Sequence, residues 1–196
     1  MGLLRLECII LAAGSSSRLG RDKALIRIGP YTLIRWLSDR VSEKGDDVTV
    51  VANEGNIREI SKILPKSNVV VNNEPHKGRT GSLKIGISSI DFSRGPNYRL
   101  LVVPVDRPGF SDSTLKRLID SEETCCPMRE GRGGHPLLLS PEDVDKVRES
   151  SDELPLRDIV NPGRFEVMDK VLHLNIDTPS EIENLQQKLD CINEEN

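Results

Sequence analysis

Arg18 and Lys23 lie in a stretch that otherwise holds mostly small side chains, Leu11-Ala12-Ala13-Gly14-Ser15-Ser16-Ser17-Arg18-Leu19-Gly20-Arg21-Asp22-Lys23. Small residues let a backbone approach a ligand closely and turn its N–H groups toward it. The two cations, one a planar fork and one a point charge, add electrostatic attraction. This combination suits a triphosphate, with Lys23 on an exposed loop, but a Ser/Gly-rich surface turn with two solvated bases fits the residues equally well. The spacing excludes two other phosphate loops. A dinucleotide-binding turn needs Gly-x-Gly-x-x-Gly, and a P-loop needs Gly-x-x-x-x-Gly-Lys-Ser/Thr. Here the glycines are Gly14 and Gly20, and Ala24 follows Lys23.

A carboxylate could complete such a site. Asp106 follows the apolar run Leu100-Leu101-Val102-Val103 and precedes Arg107-Pro108. At the carboxyl end of a central strand it is placed to hold a cation, and magnesium takes one or two carboxylates plus waters and substrate phosphates. The plainer alternative is an Asp in a Pro-bounded turn. The segment from Asn72 to Gly86 leaves a strand as a polar loop and enters a helix whose face is Leu83, Ile87 and Ile90. Ligands of open parallel sheets sit outside the carboxyl ends of the strands. Asn72, Gly78, Ser82 and Leu83 are therefore candidates for contact with a nucleotide base, unless this is only a strand–helix connection with Ser82 near the helix start.

The elements that must position these groups alternate between strand and helix. Cys8-Ile9-Ile10-Leu11 reads as a buried first strand. Leu33, Ile34, Leu37 and Val41 recur at helical spacing, with Gly45 as a stop. Residues 47–52 read as a strand, Ile57, Ile60, Ile63 and Leu64 as a helix face ended by Pro65, and residues 68–71 as a third strand. Residues 99–105 form the strongest strand and 111–120 a helix, with a strand expected over 122–129. Ser140 caps the next helix, with Pro141 at its first position and Asp143 as a weak capping-box partner. A short helix is expected over 154–160, strands over 165–168 and 171–176, and a last helix capped by Thr178, with Pro179 first, Glu181 in the capping box, and Ile182, Leu185 and Leu189 inward. This alternation argues for an α/β fold with a parallel, helix-covered sheet.

The 196 residues are enough for one domain, and 36% hydrophobic with 30% charged residues is ordinary for a globular chain. A net charge of −4 argues against a nucleic-acid binder. No stretch approaches a membrane span, and Met1-Gly2-Leu3-Leu4-Arg5 runs straight toward the first strand without a leader. Cys8, Cys125, Cys126 and Cys191 show no Cys-x-x-Cys spacing, so neither zinc nor a disulfide framework is expected. A cytoplasmic protein with no membrane partner is the default.

Residues 11–23 resemble the signature of the MobA/MocA-like nucleotidyltransferases, Leu-Ala-(Ala/Gly)-Gly-x-Ser-x-Arg-Met-Gly-x-x-Lys, with Leu19 replacing Met, a volume-conserving swap. Asn72, Gly78, Ser82 and Leu83 resemble the second signature, Asn-Pro-x(4)-Gly-x(3)-Ser-Leu, with Asn73 in place of Pro. Gly134-His135-Pro136 and Asn175-Ile176-Asp177-Thr178-Pro179 resemble two later motifs. The resemblance implies a three-layer, Rossmann-like nucleotidyltransferase fold in one domain, residues 1–106 holding the nucleotide and 107–196 the acceptor. It implies a transfer of NMP from an NTP, CTP or GTP, to a phosphorylated acceptor such as molybdopterin, with release of pyrophosphate. Arg18, Lys23 and Asp106 would be catalytic. Leu11, Ala12, Ala13, Gly14, Ser15, Ser16, Ser17, Arg18, Lys23, Asn72, Gly78, Ser82 and Leu83 would bind the nucleotide. Asp106, and Asp177 with it, would hold Mg2+, and His135 would line the acceptor pocket. Arg107 stands where the family has Met or Gln, and Asn175 replaces an Asp and is given no metal. Ala12-Ala13-Gly14 leans to the CTP users, since a methyl at residue 13 would narrow the space beside a purine. A sugar or alcohol phosphate as acceptor, or a nucleotide-binding regulator without catalysis, are the alternatives.

Overall fold

A computed structural model describes residues 4–14, 19–42, 47–183 and 185–194. Strand β1 (Leu6–Leu11) leads through the first loop to a small hairpin, β2 (Arg27–Ile28) and β3 (Tyr31–Thr32), and helix α1 (Leu33–Ser42). β4 (Asp47–Ala52), α2 (Ile57–Ile63), β5 (Asn68–Val71), α3 (Gly78–Arg94) and β6 (Arg99–Pro104) continue the alternation. After α4 (Asp112–Ile119) come β7 (Cys125–Arg129), β8 (Arg132–Gly133) and β9 (Leu137–Leu139). The chain ends with α5 (Pro141–Glu149), α6 (Leu156–Ile159), β10 (Gly163–Glu166), α7 (Pro179–Ile182) and α8 (Leu185–Glu194).

The main sheet has the order β10-β7-β9-β6-β1-β4-β5, with β8 beside β7. β1 pairs in parallel with β4 and β6, and β4 with β5. β9 enters antiparallel between β6 and β7, so the sheet is mixed but mostly parallel. The central strands are apolar on both faces, because helices cover both. One face carries Leu33, Leu37 and Val41 of α1, Leu115 and Leu118 of α4, and Leu185 and Leu189 of α8. The other carries Leu83, Ile87 and Ile90 of α3 and Val144 and Val147 of α5. Three layers result. Leu11 stands level with Val51 and with Pro104, so the loops after β1, β4 and β6 leave the sheet side by side.

The caps read from sequence are formed: Ser140 accepts from the Asp143 amide, and Thr178 and Glu181 make a capping box. Three expectations are corrected. Residues 171–176 form a turn followed by an irregular segment rather than a strand. Leu172 and Ile176 are buried, which imitates strand patterning. The segment crosses over the loop after β6, however, and the Ile176 amide donates to the Asp106 carbonyl at 3.1 Å. The last helix is split between α7 and α8, and the strand expected over 122–129 shortens to β7. Gly45 lies outside the described residues.

Gly109 permits this crossing. A Cβ there would sit 1.8 Å from the Val171 carbonyl oxygen and 3.2 Å from the Leu174 Cβ. Gly109→Ala is expected to lower stability by about 1–3 kcal/mol, the usual cost of overpacking. The midpoint of urea unfolding checks this, and a midpoint equal to wild type would mean that the 171–176 segment is loosely docked.

Candidate active site

The loop after β1 is fastened at its base. The Ala12 amide donates to the Val51 carbonyl at 2.8 Å. Asn56 Nδ2 donates to the Ala12 carbonyl at 2.9 Å and to Asp22 Oδ2 at 2.8 Å. Asn53 Nδ2 reaches the Ala13 and Gly14 carbonyls at 3.4 and 3.3 Å. At the far end Asp22 caps a single 3-10 turn, Lys23–Leu25, by accepting from the Ala24 amide at 2.9 Å. That turn aims Lys23 back over the sheet. Burial raises the pKa of Asp22, while hydrogen bonds from Asn56 and from the Ala24 and Leu25 amides oppose the shift.

Lys23 is not on an exposed loop, contrary to the sequence expectation. Its side chain is 15% exposed, and the ammonium lies between Asp177 Oδ1, in close contact, and Asp106 Oδ2 at 3.4 Å. Asp106 leaves the end of β6, and Arg79 Nη2 stands 3.7 Å from the same oxygen. Asp177 is held from behind: Asn175 Nδ2 donates to its Oδ2 at 2.5 Å, and its amide donates to Glu181 Oε2 at 2.7 Å. Asn175 Oδ1 is buried with no partner among the described residues.

These groups line a cleft of about 300 Å3, which also takes in Leu11, Ala12, Ala13, Gly14, Gly78 and Ser82. Asn72 is not at its surface but beneath it: Asn72 Nδ2 donates to Ser82 Oγ at 2.9 Å, and its Oδ1 accepts from the Glu74 amide at 2.7 Å. This pair braces the loop that carries Gly78, whose φ of +85° favours glycine. Leu83 is a core residue that also lines a second cavity of about 570 Å3. Ser15, Ser16, Ser17 and Arg18 lie outside the described residues.

The second cavity adjoins the first and shares Leu11, Gly78, Arg79 and Pro104 with it. Leu83, Val102, Leu137 and Leu156 form its apolar wall, and Arg157 and Arg164 stand at it. His135 lies in this cavity rather than in the cleft. Burial, aided by the nearby Arg79 and Arg107 charges and opposed by Asp106, lowers its pKa to about 4, so the imidazole is neutral near pH 7.

Sequence reading missed Asn53, Asn56, Asp22 and Arg79. Asn56 looks like an ordinary residue ahead of a helix, and nothing in the sequence tells that its amide ties two loops. The donor set suits a hard cation. Two carboxylates face one ammonium, and Asn175, which lines the same cleft, has a buried amide oxygen without a partner among the described residues. Among the described residues no group of three or more His, Cys, Asp or Glu could hold a metal. Magnesium needs no such cage, since it keeps waters and takes substrate phosphates. No helix among the described residues is long and apolar enough to cross a membrane.

An α/β sheet with Lys23, Arg79, Arg107 and three aspartates around a cleft at its carboxyl edge is placed to take a charged ligand. The chain belongs to the MobA-like NTP transferase domain family, whose model matches residues 8–171. A Cereibacter sphaeroides protein named molybdenum cofactor guanylyltransferase is 27% identical over 135 residues, 68% of this chain and 67% of that one. A Bacillus cytotoxicus protein named probable molybdenum cofactor guanylyltransferase is 31% identical over 134 residues, 66% of this chain and 65% of the relative. The chain thus spans about two thirds of the length of these relatives. The crystal structure of Rv0371c from Mycobacterium tuberculosis H37Rv matches 95% of this chain and 100% of its own with a TM-score of 0.78 at 21% identity. The manganese complex of that protein matches 93% of this chain and 98% of its own with a TM-score of 0.74 at 19% identity.

Proposed function

We propose that the protein is a magnesium-dependent nucleotidyltransferase that moves NMP from an NTP to a phosphorylated acceptor, molybdopterin, and releases pyrophosphate. The convergence of Lys23, Asp106 and Asp177 at the carboxyl ends of the sheet carries this reading. The half of the chain up to Asp106 supplies most of the nucleotide cleft, and the half beyond it supplies most of the second cavity, taken as the acceptor's. An acceptor phosphate oxygen attacks the α-phosphorus. The bond from that phosphorus to the bridging oxygen breaks, and pyrophosphate leaves with the electron pair. Catalysis is then positioning plus charge neutralisation.

Asp106 and Asp177 would hold Mg2+, with Asn175 Oδ1 within the same donor set. Bound there, the metal supplies charge neutralisation at the reacting phosphates, and the manganese complex of the Mycobacterium tuberculosis protein supports a divalent-cation site in this fold. Lys23 would then exchange its carboxylate partners for the α-phosphate region. Gly14, Ser15, Ser16, Ser17 and Arg18 would hold the outer phosphates, Gly78 and Ser82 would lie toward the base, and His135 would line the acceptor's cavity. Release of pyrophosphate from purified protein with Mg2+, each of the four NTPs and molybdopterin tests the reading. No release with any NTP would overturn it in favour of a regulator that only binds nucleotide.

The names of the relatives favour GTP as the donor. Ala12-Ala13-Gly14 is the observation on the side of CTP, but Ala13 is 3% exposed and packs in the core with Ile9, Val51 and Leu83. Ala13 also lines the cleft, but with so little of it exposed its methyl does little to narrow the space beside a base. GTP is expected to exceed CTP in kcat/KM by about tenfold or more, within the range that pocket shape achieves, and Ala13→Gly is expected to leave the ratio almost unchanged. Steady-state rates with both nucleotides and one acceptor measure it. A ratio in favour of CTP would support the cytidylyl reading instead.

A further inference from the structure

Where the cleft meets the second cavity, positive charge is left over. Arg107 follows Asp106 in a turn fixed by its own amide, which donates to the Pro104 carbonyl at 3.1 Å. Its side chain lines the cleft and is partly buried. The Nε–H is buried, and nothing among the described residues accepts from it. Arg79 lines both cavities. Arg107 lies close enough to Arg79 and Arg132 to feel their charge, with Asp106 and Asp177 as the opposing anions. Those two carboxylates already face Lys23. His135 Nδ1, also buried and without a partner among the described residues, belongs to the same junction.

Leaving a buried donor of a charged group unpaired is costly, and the cost is recovered only when an acceptor arrives. One donor alone would be a local imperfection. Arg107 Nε, beside a second arginine where the cleft meets the second cavity, and His135 Nδ1, a ring nitrogen that donates in one of the two neutral tautomers, together describe a receptor for an anion. Arg107 lines the cleft, His135 lines the adjoining cavity, and Arg79 lines both. An anion at their junction is taken as the acceptor's, because the adjoining cavity with its apolar wall of Leu83, Val102, Leu137 and Leu156 gives room for the body that carries it.

We propose that Arg107, with Arg79 and the imidazole of His135, receives the phosphate of the acceptor and presents it to the α-phosphorus. The proposal rests on the nucleotidyltransferase reading above. An arginine serves because its fork can donate two parallel hydrogen bonds to one phosphate, which a lysine cannot. Arg107 is thus a substrate-binding residue. Without ligand its buried, unpartnered donor gives nothing to the fold.

Binding of phenyl phosphate by titration calorimetry tests this, in full-length protein saturated with Mg2+ and the α,β-methylene analogue of GTP. Wild type is expected to bind the probe. Arg107→Gln is expected to weaken that binding at least tenfold, while affinity for the nucleotide analogue changes less than twofold. Arg107→Lys is expected to fall between them. The thermal midpoint of ligand-free Arg107→Gln is expected to equal or exceed that of wild type, whereas a structural arginine would lower it. Unchanged probe binding in Arg107→Gln, or no probe binding by wild type, would overturn the assignment. A loss confined to the nucleotide analogue would overturn it too, by moving Arg107 to the triphosphate. Failure of wild type to bind the analogue at all is a separate result that removes the nucleotidyltransferase reading, and this proposal with it.

Discussion

Lys23→Ala is expected to lower kcat/KM for NMP transfer by about two to three orders of magnitude. Removing a cationic or hydrogen-bonding contact that strengthens in the transition state typically costs about 2.7–4 kcal/mol. The structure adds a second consequence. In the wild type the ammonium lies between Asp106 and Asp177, each about a fifth exposed or less. Without it two carboxylates face each other with reduced solvation. A fully buried pair would lose about 3–5 kcal/mol on truncation of one partner, and these groups, which keep some solvent contact, should lose about 1–2 kcal/mol. Added Mg2+ should therefore raise the thermal midpoint of Lys23→Ala more than that of wild type, because a divalent cation replaces the missing charge. Pyrophosphate-release kinetics and a magnesium series of melting curves measure the two effects. Near-normal turnover would remove Lys23 from the mechanism, and an equal magnesium response would mean that the metal binds away from the carboxylates.

This interplay of Lys23 and the two aspartates marks the limit of what the sequence discloses. The alternation of apolar runs with helical faces was enough to read the sheet and its helices, because strands buried on both faces must be continuously apolar and helices on a sheet must show one inward stripe. Ser140 and Thr178 announced helix starts, since capping depends only on neighbours in sequence. The antiparallel entry of β9 between β6 and β7 was not legible, because pairing partners are chosen by the tertiary fold. Residues 171–176 misled, since alternation reports which side chains are buried but not whether a strand edge is available. At the site, Lys23 and Asp106 were recognisable from their loops, and Asp177 from its motif. That Asp177 and Lys23 are in contact was not recognisable, because the contact spans most of the chain. Asn53 and Asn56, which tie the phosphate-type loop to the turn before α2, carry no local signal at all.

Asp106→Ala is expected to abolish magnesium-dependent turnover, a fall of about a thousandfold or more, since a catalytic metal contributes several kcal/mol of charge stabilisation. Asp177→Ala is expected to have an equal or milder effect. The two carboxylates differ in how they are held. Asp106 lies in the turn directly after the central strand β6, and its carbonyl accepts from the Ile176 amide at 3.1 Å, so its position is set by the end of the sheet and by the segment that crosses it. Asp177 stands in a turn ahead of α7, and its position depends on Asn175 and Glu181. Loss of Asp177 leaves Asp106 as a carboxylate donor, to which waters and phosphates can add, as magnesium tolerates. Loss of Asp106 leaves a carboxylate on the less rigid side. A magnesium titration of turnover separates the cases. Asp177→Ala should shift the midpoint to higher magnesium and retain a response, whereas Asp106→Ala should show none at any concentration. A wild-type magnesium response in Asp106→Ala would place the metal elsewhere, and a flat response in Asp177→Ala alone would make the turn before α7, rather than the end of β6, the anchor of the site.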